Sequence, residues 1–208
     1  MESADRVSDE IERWLRGPGD TTLGSLVEVF EEKAFAVMFV LLLAVPALPL
    51  PTGGATHVFE VIAMLLSLEL IAGRGQVWLP ARWRRRRLAG AGQRRFIARL
   101  VRLIRRLERV SRPRGRRLLD HRLGRSMFGV TVLLLSLAAF VAPPFSGLDT
   151  LPALGVVVVS VGVLLEDVAV VVVGLLAGAA GIVLELVLGR AAFAGIEQLV
   201  SVALLSVS

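Results

Sequence analysis

Residues 168–189 read VAVVVVGLLAGAAGIVLELVLG, an apolar run of 22 residues in which Glu185 carries the one charge. A helix that crosses the hydrocarbon core of a bilayer needs about 20 predominantly apolar residues. The run therefore predicts a transmembrane helix. Its Gly174-x-x-x-Gly178 spacing permits close packing of another helix, either within the chain or between protomers.

Five more apolar runs are shorter, are broken by proline or carry an acid. They cover residues 34–51, 55–73, 128–145, 151–165 and 191–208. Hydrophobic residues make up 55% of the chain, and the mean hydropathy is +0.71. Because the charges are segregated from long apolar stretches, a freely soluble globular protein is excluded, and we predict an all-α integral membrane protein.

Two pairs of these runs are joined by turns rich in proline and glycine. Proline lacks an N–H and interrupts a helix, whereas glycine permits a tight reversal. Each pair therefore predicts a helical hairpin whose helices are short for a full crossing, so the hairpins either span the membrane or are re-entrant. The tips contain Pro49, Pro51, Gly53 and Gly54 in the first hairpin, and Pro143, Pro144 and Gly147 in the second.

The two hairpins resemble each other in sequence. Residues 40–43 and 132–135 both read VLLL, at an offset of 92. At an offset of 93, Pro51 matches Pro144, Gly54 matches Gly147 and Ser67 matches Ser160. We interpret the matches as an internal repeat, although any two apolar hairpins with such tips would align in part. Short, interrupted helices at corresponding places in two halves are typical of a transporter core.

A basic segment separates the hairpins. Residues 74–126 carry 19 of the 24 basic residues and two acids, a local charge of +17 against −11 for the rest of the chain. Apolar residues recur at helical spacing from 96 to 110, which predicts a basic amphipathic helix. Such a helix lies at the interface, with its apolar face in lipid and its cations on anionic headgroups. The headgroup candidates are Arg95, Arg99, Arg102, Arg105, Arg106 and Arg109.

The simplest role for this segment is to set topology and anchor the chain at the membrane. Arginine recognition of a lipid phosphate or pyrophosphate is a sharper alternative. Nucleic-acid binding is disfavoured, because the segment lies between membrane hairpins and contains no recognisable nucleic-acid module. A basic segment of this length is expected in the cytoplasm. Spanning hairpins, with the last two runs crossing out and back, would then give six crossings and two cytoplasmic termini.

This organisation predicts five segments. They are an N-terminal amphipathic cytoplasmic segment (1–33), a first hydrophobic hairpin (34–73), an Arg-rich cytoplasmic or interfacial segment (74–126), a second hydrophobic hairpin (127–167) and C-terminal transmembrane helices (168–208).

Acids inside the apolar runs are candidate functional groups, because a carboxylate at membrane depth is costly and is not expected to face lipid. Glu60 is the leading candidate, since it follows the first tip and has His57 one helical turn before it. The pair could pass a proton, or the two side chains could only satisfy each other. Asp149 is the corresponding acid near the second tip. The other candidates for a substrate or proton pathway are Glu69, Glu185 and Glu197, of which the first two have an arginine five residues away.

Catalytic patterns are absent from the sequence. It contains no Ser/His/Asp arrangement of a known kind, no phosphate-binding glycine loop and no Asp-rich metal motif. The lack of cysteine excludes a disulfide scaffold and a thiolate metal site, and two histidines argue against a His-rich zinc site. We therefore expect no enzyme activity, no metal and no cofactor.

Several motifs are distributed over both halves of the chain. They are Pro49-Leu-Pro51 with Gly53, residues 67–74 (SLELIAGR), Trp78-Leu-Pro80, Pro143-Pro144, residues 151–154 (LPAL) and residues 162–167 (GVLLED). This set, over roughly residues 23–189, resembles the bacterial ExoD family of exopolysaccharide-synthesis membrane proteins. At the positions of Glu60 and Glu69, the family more often has proline and glutamine. The resemblance implies a multi-pass protein of the bacterial inner membrane, linked to exopolysaccharide production, but supplies no biochemical activity.

The hairpins and the acids together favour a small transporter or flippase-like protein, acting on a lipid-linked or anionic intermediate of polysaccharide assembly. The alternative is a non-transporting scaffold or regulator that organises the polysaccharide machinery through the Arg-rich helix. Expected partners are membrane lipids with anionic headgroups, a second copy of the chain in a homodimer and polysaccharide assembly proteins, but no nucleic acid.

Overall fold

The computed structural model describes residues 7–16, 22–30, 33–48, 56–78, 80–85, 91–111, 115, 121–143 and 146–207. Over these residues the protein is helical, which confirms the predicted all-α class. The helices are α1 (Val7–Arg16), α2 (Leu23–Phe30), α3 (Ala34–Leu43), α4 (His57–Ile71), α5 (Ala81–Arg84), α6 (Ala91–Val110), α7 (Arg122–Val141), α8 (Thr150–Leu164) and α9 (Val168–Val207).

Helix α3 forms the centre of the core. Its sequence, AFAVMFVLLL, is apolar all round, and such a helix is stable only where every face is covered. It packs against α2, α4 and α8, and its Phe39 ring meets the Phe128 ring of α7 edge to face at 5.6 Å. The first hairpin therefore contributes the most deeply buried element of the molecule.

Helices α4 and α7 run antiparallel along each other. At one end the ring of His57 lies 5.3 Å from that of Phe140. At the other end a Cβ added at Gly129 would lie 3.1 Å from the carbonyl oxygen of Ser67. The glycine thus lets the two backbones approach closely where α4 ends.

Helices α8 and α9 form the closest helix pair. A Cβ at Gly155 would lie 2.6 Å from the Cα of Gly178, and one at Gly162 would lie 2.6 Å from the backbone nitrogen of Val171. These contacts make the pair antiparallel. The Gly174-x-x-x-Gly178 spacing therefore serves packing within the chain, where glycine removes the side chain that would hold the backbones apart.

Helices α4 and α8 are alike in length and in how they end. Each has 15 residues, with Thr56 and Asp149 at the N-caps. Each ends in a residue of positive φ, 82° at Gly73 and 55° at Glu166. The next backbone N–H bonds back into the helix, from Arg74 to Glu69 at 3.1 Å and from Asp167 to Gly162 at 2.9 Å. This is the same Schellman-type cap at corresponding positions.

Within the described ranges, two helices are long and apolar enough to cross a membrane: Arg122–Val141, and the first 22 residues of α9, Val168–Gly189. Helices α4, α7 and α9 also expose large apolar side chains, such as Leu65, Leu134 and Leu176. Large exposed apolar side chains in such number are unusual for a protein surrounded by water. Both features are consistent with a membrane protein.

The expected C-terminal helix pair is wrong. Residues 168–207 form one continuous helix, α9, of 40 residues, about 60 Å long at the usual rise of 1.5 Å per residue. The boundary between the two apolar runs, Gly189-Arg190, contains no proline. A single glycine costs a helix only about 1 kcal/mol, so the helix continues. The six-crossing topology, which needs a reversal here, is wrong with it.

The predicted basic amphipathic helix exists as α6, but its apolar face does not lie in lipid. Ile97, Val101 and Ile104 are buried in the main hydrophobic core. A small apolar cavity beside Ile104 is also lined by Ile11 of α1 and Val37 of α3. The expected interfacial placement of this face is corrected, because protein rather than lipid covers it.

The second hairpin tip is a tight turn. The carbonyl oxygen of Pro143 accepts hydrogen bonds from the backbone N–H of Ser146 at 3.1 Å and from its hydroxyl at 2.7 Å. Gly147 follows with φ of 69°, a conformation that glycine adopts without strain. The predicted tip residues Pro49, Pro51, Gly53, Gly54 and Pro144 lie outside the described residues.

Candidate functional site

The first turn of α4 contains a buried acid with one partner. His57 and Glu60 are three residues apart on the same helix face, and the His57 Nδ1 lies 2.7 Å from Glu60 Oε2. The Glu60 side chain is 0% exposed. Its other carboxylate oxygen, Oε1, has no hydrogen-bond partner among the described residues. The predicted pair is therefore confirmed as a contact, and half of the carboxylate is left unsatisfied.

Two more carboxylates approach from other helices. Asp149 stands at the start of α8, and its charge acts on both Glu60 and Glu185. The charge of Glu60 also acts on Glu185. The helix packing explains this meeting. Leu151 and Pro152 contact the position of Gly181, so Glu185, one turn further along α9, comes level with Asp149. We call His57, Glu60, Asp149 and Glu185 the acid cluster.

A second carboxylate oxygen of the acid cluster also lacks a hydrogen-bond partner among the described residues. Glu185 Oε1 is buried and has no hydrogen-bond partner among the described residues. The single base in the cluster, His57, is engaged by Glu60. Among the described residues, no group of acids and histidines is placed to hold a metal ion. The cluster can instead take up a proton, because neighbouring carboxylates are unfavourable when all are charged.

The remaining acid candidates lie apart from the cluster. Glu69 is at the opposite end of α4, where it binds the Arg74 guanidinium at 3.4 Å and accepts the backbone N–H of Trp78 at 3.1 Å. These contacts fix the turn after α4, so Glu69 is placed as a structural residue. The side chain of Glu197 lies outside the described part of the chain.

Buried serines are the functional candidates that the sequence did not single out. Ser136 and Ser160 are 0% exposed, and neither hydroxyl has a partner among the described residues. Ser136 lies one turn along α7 from Phe140, the residue that contacts His57, so it extends the polar character of the cluster into the core. The sequence indicates these buried hydroxyls only by placing a serine within an apolar run. That indication is weak, because serine is tolerated in helices.

Residues 7–187 match the family described as "Exopolysaccharide synthesis, ExoD". The chain belongs to the ExoD family. A protein of Synechocystis sp., named only as uncharacterized, is 28% identical over 188 residues, covering 88% of this chain and 84% of its own length. No solved structure matches.

Membership of the ExoD family implies involvement in exopolysaccharide synthesis, as the sequence motifs predicted. The whole acid cluster lies within the matched range, whereas Glu197 lies beyond it. The structure therefore brings together four of the six acid-pathway candidates from separate parts of the ExoD match.

The opposite end of this ExoD-family protein is held by ion pairs. Lys33 binds Glu166 at 2.8 Å, and Arg105 of α6 binds Glu12 of α1 at 2.6 Å. Among the headgroup candidates, Arg105 is thus engaged by α1. Arg99, Arg102, Arg106 and Arg109 are exposed, and the side chain of Arg95 lies outside the described residues.

Proposed function

We propose that this ExoD-family protein is a multi-pass protein of the bacterial inner membrane that moves a lipid-linked or anionic intermediate of exopolysaccharide assembly. The observation that carries the proposal is the acid cluster, and above all Glu60, a fully buried carboxylate with one oxygen that has no partner in the described part of the chain. Ionisable groups inside apolar bundles are expensive, and they are typical of ion, proton and substrate pathways.

Orientation in the membrane is part of this proposal. The +17 charge of residues 74–126 favours a cytoplasmic position for the basic segment. The acid cluster is at the other end of α4 and α7, so we propose that it lies toward the outer side.

The two hairpins are proposed to be a structural repeat. The support is the shared length and C-terminal cap of α4 and α8 at an offset of 93 residues. The packing follows the same scheme, because α4 packs on α7 as α8 packs on α3. If α3 corresponds to α7 and α4 to α8, a two-fold axis between the halves would convert the α4–α7 pair into the α8–α3 pair. Transporters built from repeats are related in this way.

The hairpin tips are proposed to stop inside the bilayer. A helix of 15 residues, such as α4 or α8, rises about 22 Å. The hydrocarbon core is about 30 Å thick. Broken backbone at that depth is tolerated only where protein or a watery cavity satisfies it, and the acid cluster next to the second tip would line such a cavity.

Glu60→Gln tests the proposal. The change keeps the size of the side chain and a hydrogen bond to His57, but removes the ability to hold a negative charge. We expect exopolysaccharide export to fall at least about tenfold, in the range typical of lost proton-transfer groups, in cells that depend on this protein. Polymer outside the cells and lipid-linked precursor inside them would be measured together.

Glu69→Gln is the matched control, because Glu69 is also an acid on α4 but is paired with Arg74. Export in the control should stay near the level of the unmodified protein. Full export with Glu60→Gln, at equal protein abundance, would contradict the transport proposal.

A scaffold without transport activity is the second candidate. It is favoured by α6, whose apolar face is docked on the protein while Arg99, Arg102 and Arg106 point outward as an exposed basic surface. Neutralising these three arginines to glutamine should then abolish exopolysaccharide production and association with assembly proteins, whereas Glu60→Gln should not. Under either candidate we propose that the protein acts without enzymatic chemistry, with membrane lipids, a second copy or assembly proteins as partners.

A further inference from the structure

The described groups around Glu60 carry more negative than positive charge. Asp149, at the start of α8, acts on Glu60 through its charge, and the charges of both act on Glu185 of α9. The base in contact with Glu60 is His57. Of the other helices packed at this end, α3 contains no titratable residue, and α7 contains none after its first turn. Further along α9, the side chain of Arg190 lies outside the described residues.

The site around Glu60 suits a proton better than a metal ion. The Glu60 side chain is 0% exposed, and its Oε1 is buried without a hydrogen-bond partner in the described part of the chain. A metal ion needs several ligands placed together, and no described group of acids and histidines has that arrangement. A proton needs a single oxygen, and it neutralises one of several carboxylates that are unfavourable together when all are charged.

We infer that His57 passes a proton between water at this end of the bundle and Glu60, and that this proton is the coupling ion of the proposed export. The inference rests on the proposed function, which it extends to the ion that drives the movement. His57 Nδ1 is 2.7 Å from Glu60 Oε2, whereas 24% of the His57 side chain is exposed. The Phe140 ring packs against the imidazole at 5.3 Å and limits its reorientation.

The transfer balances within the pair. A neutral His57 with its proton on Nδ1 takes a proton from a hydronium ion at Nε2 and gives the Nδ1 proton to Glu60 Oε2. The products are water, a neutral carboxylic acid and a neutral imidazole with its proton on Nε2, and the reverse steps return the proton to water. The 2.7 Å separation lies within the reach of about 2.6–3.2 Å that proton transfer needs. Histidine suits the role because it changes charge near neutral pH and has two distinct nitrogens.

Chemical rescue tests the relay. His57→Ala removes the imidazole and leaves space beside Glu60, and we expect export to fall at least about tenfold. Imidazole added to the medium should raise export several-fold, whereas pyrazole, which has the same size but is a much weaker base, should not. His57→Gln retains a side chain that can hydrogen-bond to Glu60 but cannot relay a proton, so it should lose export without rescue. Equal effects of imidazole and pyrazole, or full export with His57→Gln, would overturn the inference.

His121→Ala is the matched control, because His121 is the second histidine of the chain and lies at the opposite end of α7, where it accepts the backbone N–H of Leu123. Export at equal protein abundance should stay near the level of the unmodified protein and should not respond to imidazole. A loss of export in this control that imidazole restores would overturn the assignment of the relay to His57.

Infrared difference spectroscopy of the full-length protein in liposomes tests the proton on Glu60 without any measurement of export. We expect a protonated-carboxyl band that disappears as the pH is raised, is missing in Glu60→Gln and is retained in Glu69→Gln. After a rapid drop in pH, the band should grow at least about tenfold more slowly in His57→Gln than in the unmodified protein.

The spectra separate failure of the inference from failure of the proposed function. Absence of a Glu60 band at every pH, or equal rates with and without His57, would overturn the inference. If Glu60→Gln still stopped export in that case, the proposed function would stand without proton coupling. Full export with Glu60→Gln would overturn the proposed function and, with it, the coupling.

Discussion

The contact between Glu60 and His57 could be predicted from the sequence, whereas the approach of a third residue could not. Their spacing of three residues on a helix predicts the contact, and the 2.7 Å separation confirms it. The approach of Glu185 could not be predicted, because it depends on how closely α9 packs on α8. The structure brings Glu185 level with Asp149 through the contact of Leu151 and Pro152 with Gly181, and the charges of Asp149 and Glu60 act on it.

The serines at corresponding positions of α4 and α8 give a prediction for single side chains. Ser67 donates its hydroxyl to the Met64 carbonyl at 2.7 Å, whereas Ser160 has no hydroxyl partner among the described residues. A typical hydrogen bond contributes about 0.5–1.5 kcal/mol, and an unpaired buried polar group costs about 1–3 kcal/mol. Ser67→Ala should lower the free energy of unfolding by ~1 kcal/mol, and Ser160→Ala should raise it by a similar amount.

Reversible unfolding of the detergent-solubilised protein would measure both changes. Because the two serines are equally buried and lie on helices of equal length, each variant is the control for the other. Destabilisation of equal size in both would show that the Ser160 hydroxyl does have a partner, such as a buried water.

At the scale of elements, glycine decides how α8 and α9 pack. The Gly174-x-x-x-Gly178 spacing indicated that another helix packs closely on α9, and the structure shows that this helix is α8. Gly155→Ala would place a methyl group 2.6 Å from the Cα of Gly178. Overpacking of this kind costs about 1–3 kcal/mol, and we expect a loss of that size in the free energy of unfolding.

Gly189→Ala is the matched control, since a Cβ there meets nothing within 4 Å. It should leave stability unchanged or raise it by up to about 1 kcal/mol, because alanine favours a helix more than glycine does. A Gly155→Ala protein as stable as this control would contradict the close α8–α9 contact.

Helix α6 could be predicted from the sequence, but whether lipid or protein covers its apolar face could not. The spacing of its apolar residues is enough to define the helix. The same spacing suits lipid and protein equally, because the hydrophobic effect is non-directional. Its placement on the protein is accompanied by ion pairs from Arg105 to Asp9 and Glu12, which join parts of the chain about 90 residues apart and leave no local sequence signal.

For the whole molecule, the lack of cysteine allows single-cysteine labelling from each side of the membrane. Gly75 and Ser146 lie at opposite ends of the bundle, next to the ends of α4 and α7. We expect Gly75→Cys to react with an impermeant thiol reagent from the cytoplasmic side. Ser146→Cys should be protected from the outer side, because the tip is proposed to stop inside the bilayer. Denatured protein gives the full-labelling reference.

Rapid labelling of Ser146→Cys from outside would contradict re-entrant tips and would favour the scaffold. Labelling of Gly75→Cys from outside would contradict the proposed orientation.

The sequence by itself determined the helical class, the family, the segregation of charge and the contact of Glu60 with His57. These properties depend on composition, on motifs or on residues within one helical turn, so local chemistry is sufficient to specify them. Only the tertiary structure decided that 168–207 is one helix, that α6 is docked on the core and that Asp149 and Glu185 join Glu60. The continuous helix follows from the lack of a strong helix breaker at Gly189-Arg190. The docking of α6 and the meeting of the acids depend on which apolar surfaces pack together, and Gly155 and Gly178 let α8 and α9 approach closely enough to bring Glu185 level with Asp149.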